Sequence, residues 1–131
     1  MIHFVTYLDR ERWRISVYVL EHCGEGSDVI EALSEEGCKG ADLADAYHDI
    51  RSCAMNIGIT YSYKSHRNTI MLIGLQESKS EFVNTLRHEQ HHIIAHICET
   101  DGIDMYEEPA AYIAGDVGEA IYEKMCKYRL L

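Results

Sequence analysis

His88 and His92 stand four residues apart with Glu89 just after the first, an H-E-x-x-H pentapeptide in a stretch free of proline and glycine from Ser78 to Glu99. On a helix, residues four apart lie one above the other, about 6 Å along the axis, so both imidazoles can face one tetrahedral zinc ion. Glu89 falls about 100° round the same turn, near enough to polarise a metal-bound water without taking a coordination position. Two neutral nitrogen ligands, a carboxylate base and an open position for water are the parts of a metal hydrolase.

Such a site needs a third protein ligand if one position is to stay open. Downstream runs Tyr106-Glu107-Glu108-Pro109-Ala110-Ala111-Tyr112-Ile113-Ala114-Gly115. Pro109, the only proline in the chain, suits the first turn of a new helix. That places Glu108 at the helix N-terminus, with Ala111, Gly115 and Gly118 following on its side of the cylinder. Small residues there would let the second helix come close enough for a short carboxylate to reach the metal. Glu108 is the favoured third ligand and Glu107, one residue earlier and differently directed, is the rival. His96 is a further option, although side chains at i, i+4 and i+8 diverge along a helix.

The elements that must hold these residues can be read from pattern. Ser78-Lys79-Ser80-Glu81 has the form of a capping box and opens the motif helix. With His88 set to zero and about 100° per residue, Phe82, Val83, Leu86, Ile93, Ile94 and Ile97 gather between roughly 120° and 240°. His88, His92, His96 and Glu89 fall between about 0° and 100°, at the edge of that apolar stripe, and His91 points away to solvent. Residues 2–8 and 13–20 are rich in β-branched and aromatic side chains, with polar Asp9-Arg10-Glu11-Arg12 between them, as a hairpin requires. Residues 27–36 read as a short helix, and a second helix opens at Ala41 and reaches about Met55. Residues 57–63 and 69–75 form a second hairpin, one strand of which should border the cleft and could pair with an extended peptide. The predicted class is α+β: a single domain over residues 1–131, with a small mixed or antiparallel sheet against the two site helices.

His88-Glu89-Gln90-His91-His92, 15 intervening residues and then Glu108-Pro109-Ala110-Ala111-Tyr112 resemble the zincin metallopeptidases of the gluzincin type. In that family the third ligand is a glutamate on the next helix. The E-x-x-A-Y-I-x-G form is also similar to small zincin-like proteins encoded by phages and mobile elements. The resemblance covers roughly residues 79–128. It implies a minimal zincin-like domain with one zinc ion on His88, His92 and Glu108, and Glu89 as general base for hydrolysis of a peptide bond. Many gluzincins carry Asp four residues after the ligand Glu, where it orients a ligand histidine. Here that position is Tyr112, and Asp116 or Asp104 would have to serve instead.

Bulk properties narrow the field. The 131 residues suffice for one core, and 47% apolar with 26% charged residues is ordinary for a folded soluble protein. No run of 18 apolar residues is present, so no membrane span is expected. The opening residues lack the form of a signal peptide, which makes the cytoplasm the default location. A net charge of −10 argues against nucleic acid as a ligand, while permitting basic peptides or partners. Five cysteines without a C-x-x-C pair point to buried thiols, not a disulfide framework. Cys98 falls off the ligand face.

Other polar residues have simpler readings. Tyr106 and Tyr112 read as packing residues before oxyanion donors, Trp13 as core, and His48 with Asp45 as surface. His3, His22 and His66 have no partner at metal spacing. Three functions follow from the residues: a zinc peptidase acting on a peptide or protein, a zincin-like protein that binds metal without useful catalysis, and an acidic interaction module without metal.

Overall fold

The structure, a computed structural model, describes residues 1–131. Strands β1 (Ile2–Leu8) and β2 (Trp13–Leu20) form the first hairpin. Helices α1 (Ser27–Glu35) and α2 (Gly40–Arg51) follow, then β3 (Gly58–Tyr63), β4 (Asn68–Gly74), α3 (Lys79–Asp101) and α4 (Glu108–Lys127). The sheet has the order β1-β2-β4-β3. Both hairpins are antiparallel as expected, while β2 and β4 pair in parallel, Val17 opposite Met71. The fold is thus α+β with a mixed sheet.

Helices cover both faces of this sheet, which is why β4 is buried at every residue; a strand buried on two sides reads as a continuous apolar run. Trp13, Ile15, Val17, Val19, Met71 and Ile73 face α3 and α4. Leu20, Ile70 and Leu72 face the other way, against Val29 and Leu33 of α1 and Ala46 and Ile50 of α2. The α2 helix stops at Arg51, short of the expected Met55, because residues 52–56 must turn back into β3.

The α3 helix sets the site. Ser78 caps it, its hydroxyl accepting from the Glu81 amide at 3.4 Å. Phe82, Leu86, Ile93 and Ile97 are fully buried, each contributing about 1.5–3 kcal/mol. Val83 and Ile94, at the margins of the same stripe, are half-buried. Anchoring that face on the sheet fixes the helix rotation and leaves His88 and His92 on an exposed edge, with His91 in solvent.

Cysteine pairing departs from expectation. Cys38 and Cys98 are buried thiols and Cys126 is exposed, but Cys23 and Cys53 form a disulfide with Cα atoms 4.9 Å apart. It joins the two ends of the α1–α2 excursion from the sheet. Such a bond closes the excursion on itself. No helix is long and apolar enough to cross a membrane.

Candidate metal centre

Ligand atoms of His88, Glu89 and His92 lie within 4.8 Å of one another. The two imidazoles meet edge to face with ring centres 5.0 Å apart. Their spacing is the helical i, i+4 relation read from the motif, and their exposure leaves the front of the site open.

Glu89 differs from both neighbours. It is only 3% exposed, turned from the histidine edge towards β3. Its Oε2 is buried without a hydrogen-bond partner. Burial pushes its carboxyl above the ordinary range, an effect the neighbouring His92 and His88 oppose. A buried carboxyl oxygen without a donor is short of a hydrogen bond, and such groups cluster at functional sites. Gly58 of β3 makes the placement possible: a Cβ there would come within 2.9 Å of the Glu89 Cδ. The sequence offered a signal for this, a glycine heading a strand, which often marks close approach of another group.

Beside the group runs a cleft of about 500 Å³. One wall is Glu89, His92 and His96 of α3; the opposite wall is Asp42, Asp45 and Asp49 of α2. Between them lies β3, an edge strand as expected. Gly74 donates its amide to the Ile57 carbonyl at 3.1 Å. By the alternation of an antiparallel ladder, Ile59 and Tyr61 then bond to β4, and Gly58, Thr60 and Ser62 turn their backbone groups to the free edge. Lys64 closes one end and is paired with Glu99 at 2.8 Å.

His96 lines this cleft, with Nδ1 2.7 Å from the Ser62 hydroxyl. Its ring centre is 6.4 Å from that of His92, and it stands outside the close group. Asp45 and its two companions are the residues that sequence reasoning missed. A helical wheel places them on one face of α2 but cannot say that a histidine wall lies across from it.

Glu108 is not brought to the group. It opens α4 in an exposed position. The six residues 102–107 return the chain antiparallel to α3, and Gly118 sits against Arg87, whose Nη1 is 3.6 Å from where a Cβ would stand. Glu108 stands outside the close group of His88, Glu89 and His92. The expected close approach through small residues fails at Gly115, which faces open space. Glu107 is exposed beside Glu108.

The other expected partners also lie elsewhere. Asp116 pairs with Arg10 at 3.7 Å, and Asp104 accepts from the Tyr106 amide at 2.9 Å within its own turn. Neither orients a ligand histidine. Tyr106 is 99% exposed and Tyr112 lies under Arg10, so neither packs in the core or lines the cleft. His3 stacks on Tyr18, and His66 lies tilted against Tyr63 with ring centres 4.0 Å apart, consistent with structural roles.

A metal ion fits this donor set in its chemistry: two exposed imidazoles at helical spacing, next to a buried carboxylate with an unsatisfied oxygen. Comparison of the chain with protein-family models, curated proteins and solved structures finds no match, so the functional reading rests on the residues and their geometry.

Proposed function

We propose that the protein is a zinc-dependent peptidase of the zincin type, and that the buried, unpartnered Glu89 carboxylate beside His88 and His92 is the observation that carries this reading. His88 and His92 would hold the ion. Glu108, exposed at the start of α4 and outside the close group, is the proposed third ligand. Zinc, when bound, supplies a Lewis acid that polarises the scissile carbonyl and acidifies a water.

The chain's own residues do the rest. Glu89 sits where it can take a proton from a water in front of His88 and His92 and return it to the leaving amine. Its burial keeps competing water off the carboxylate. The free edge of β3 gives an extended peptide backbone partners at Gly58, Thr60 and Ser62, which aligns the scissile bond along α3. The open front of the site suits a flexible segment, not a folded surface.

Glu89→Gln separates this reading from its rival, a zincin-like protein that binds metal and partners without catalysis. Zinc-loaded wild type should cleave members of a peptide library and lose that activity with chelator. The variant should keep its zinc and lose roughly 10²–10⁴-fold in rate. Undiminished cleavage by the variant would remove Glu89 as the base, and no cleavage by the wild type would favour the interaction module.

A further inference from the structure

The α2 wall of the cleft has no role in metal binding. Asp42, Asp45 and Asp49 follow at i, i+3 and i+7, so one helix face turns all three into the cleft. None of them has an ion-pair partner, while the only cation at the cleft, Lys64, is committed to Glu99. The facing wall adds the buried Glu89, whose Oε2 also lacks a partner. Carboxyl groups without a cationic partner therefore face the same space from both walls.

We propose that the cleft selects an extended peptide bearing lysine or arginine at alternate positions, with the cations against Asp42, Asp45 and Asp49. The inference rests on the peptide-binding reading of the β3 edge. The three carboxylates spread over about 10 Å of α2. Alternate side chains of a strand repeat at about 6.8 Å, so two of them fit within the wall. A strand added to β3 turns every second side chain to the same face, which makes the alternation part of the selection.

The test uses the Glu89→Gln protein, to prevent turnover, and three labelled hexapeptides alternating valine with lysine, glutamine or glutamate. Fluorescence anisotropy at near-physiological salt reads their affinities. The lysine peptide should bind at least tenfold tighter than the glutamine peptide. Adding D42N, D45N and D49N should erase that preference, whereas E31Q, E119Q and E123Q, the same change in charge elsewhere, should leave it. Equal affinity for the lysine and glutamine peptides, equal loss in both triple variants, or no binding of any peptide would overturn the proposal. Binding of the lysine peptide without its cleavage by zinc-loaded wild type would end the peptidase reading and leave this one standing.

A separate observation concerns His96. The Trp13 indole N–H donates to the Thr69 hydroxyl at 2.7 Å, and Trp13 and Thr69 are both wholly buried. Thr69 Oγ1 lies 2.7 Å from Ser62 Oγ, which lies 2.7 Å from His96 Nδ1. An indole only donates, so Thr69 accepts from it and has Ser62 as the sole remaining acceptor for its own proton. The Ser62 hydroxyl then donates its hydrogen bond to His96 Nδ1. The structure assigns His96 the tautomer with Nδ1 as acceptor and hydrogen on Nε2. This removes its Nε2 lone pair from metal ligation and leaves an N–H in the cleft to donate to a carbonyl oxygen of the bound peptide.

Long-range nitrogen–proton NMR spectra of the imidazole at pH 7.5 should show the Nε2–H form for His96 and a mixture of tautomers in Ser62→Ala. A predominantly Nδ1–H or doubly protonated ring in the wild type would overturn the assignment. So would an unchanged tautomer in a folded Ser62→Ala protein.

Discussion

The Glu89 carboxyl rests on the backbone of Gly58, so close that a single methyl group on Gly58 would lie 2.9 Å from the Glu89 Cδ and 3.1 Å from its Oε2. The carboxyl is therefore positioned by a residue that has no side chain, on a strand that also borders the cleft.

Gly58→Ala tests that dependence. Pushing the carboxyl from its seat should cost about 1–3 kcal/mol of stability, as overpacking does. The larger effect should be on catalysis, a loss on the order of 10²-fold, because a base displaced by 1 Å loses its geometry. Thermal unfolding and peptide cleavage measured on the same preparation check both. Normal activity in the alanine variant would show that the carboxyl has room that the structure does not give it.

Glu108 offers a sharper contrast. As the proposed third ligand, Glu108 makes a testable claim: Glu108→Ala should weaken zinc binding by tenfold or more, with Glu107→Ala close to wild type. Competition against a fluorescent chelator gives both constants. Equal affinities for wild type and Glu108→Ala would leave the ion to His88 and His92 with solvent, and remove Glu108 from the site.

Glu11 governs a pH dependence away from the metal. It is buried, its Oε2 is unpartnered, and burial, with Asp116 nearby, raises its carboxyl above the usual range. A carboxyl whose folded pKa is raised stabilises the fold when protonated. That contribution is complete below the unfolded pKa of about 4.5 and is lost as pH rises through the folded value. Glu11→Gln should therefore raise the melting temperature at pH 7, by about 3–4 °C for each kcal/mol recovered. The advantage should shrink towards pH 4. A variant no more stable than wild type at pH 7 would contradict the sign.

The Cys23–Cys53 bond closes a loop with a sequence separation of 30, for which chain entropy gives about 3–4 kcal/mol. Cys53→Ser, or reduction, should lower stability by about 2–4 kcal/mol in urea unfolding. Because the bond anchors the excursion that carries α2, amide exchange should rise first in α1 and α2. Uniform loosening across the sheet would argue against this local role.

Much of the fold was legible because its signals are local. Alternation gave both hairpins, Ser78 and Glu81 gave the start of α3, and the apolar stripe gave the face that His88 and His92 flank. What remained hidden depends on chain segments meeting across long distances. Nothing in the alternation of β2 says that it pairs in parallel with β4, some fifty residues later. Asp45 is exposed, as its helix pattern suggested, but that pattern cannot reveal the histidine wall across the cleft. Glu108 is right in type and spacing for a ligand, yet its reach depends on how α4 crosses α3, and Gly115 leaves a gap where the sequence suggested close packing. Cys23 and Cys53 lie in separate loops, so only the folded backbone brings them together.

The central claim is that His88 and His92 hold zinc, and metal content tests it most directly. Purified, tag-free wild type and His92→Ala should be incubated with zinc, desalted and measured by plasma mass spectrometry. The account predicts close to one zinc per wild-type chain and nearly none in the variant. No zinc in either protein after incubation with excess metal, or equal zinc in both, would contradict it.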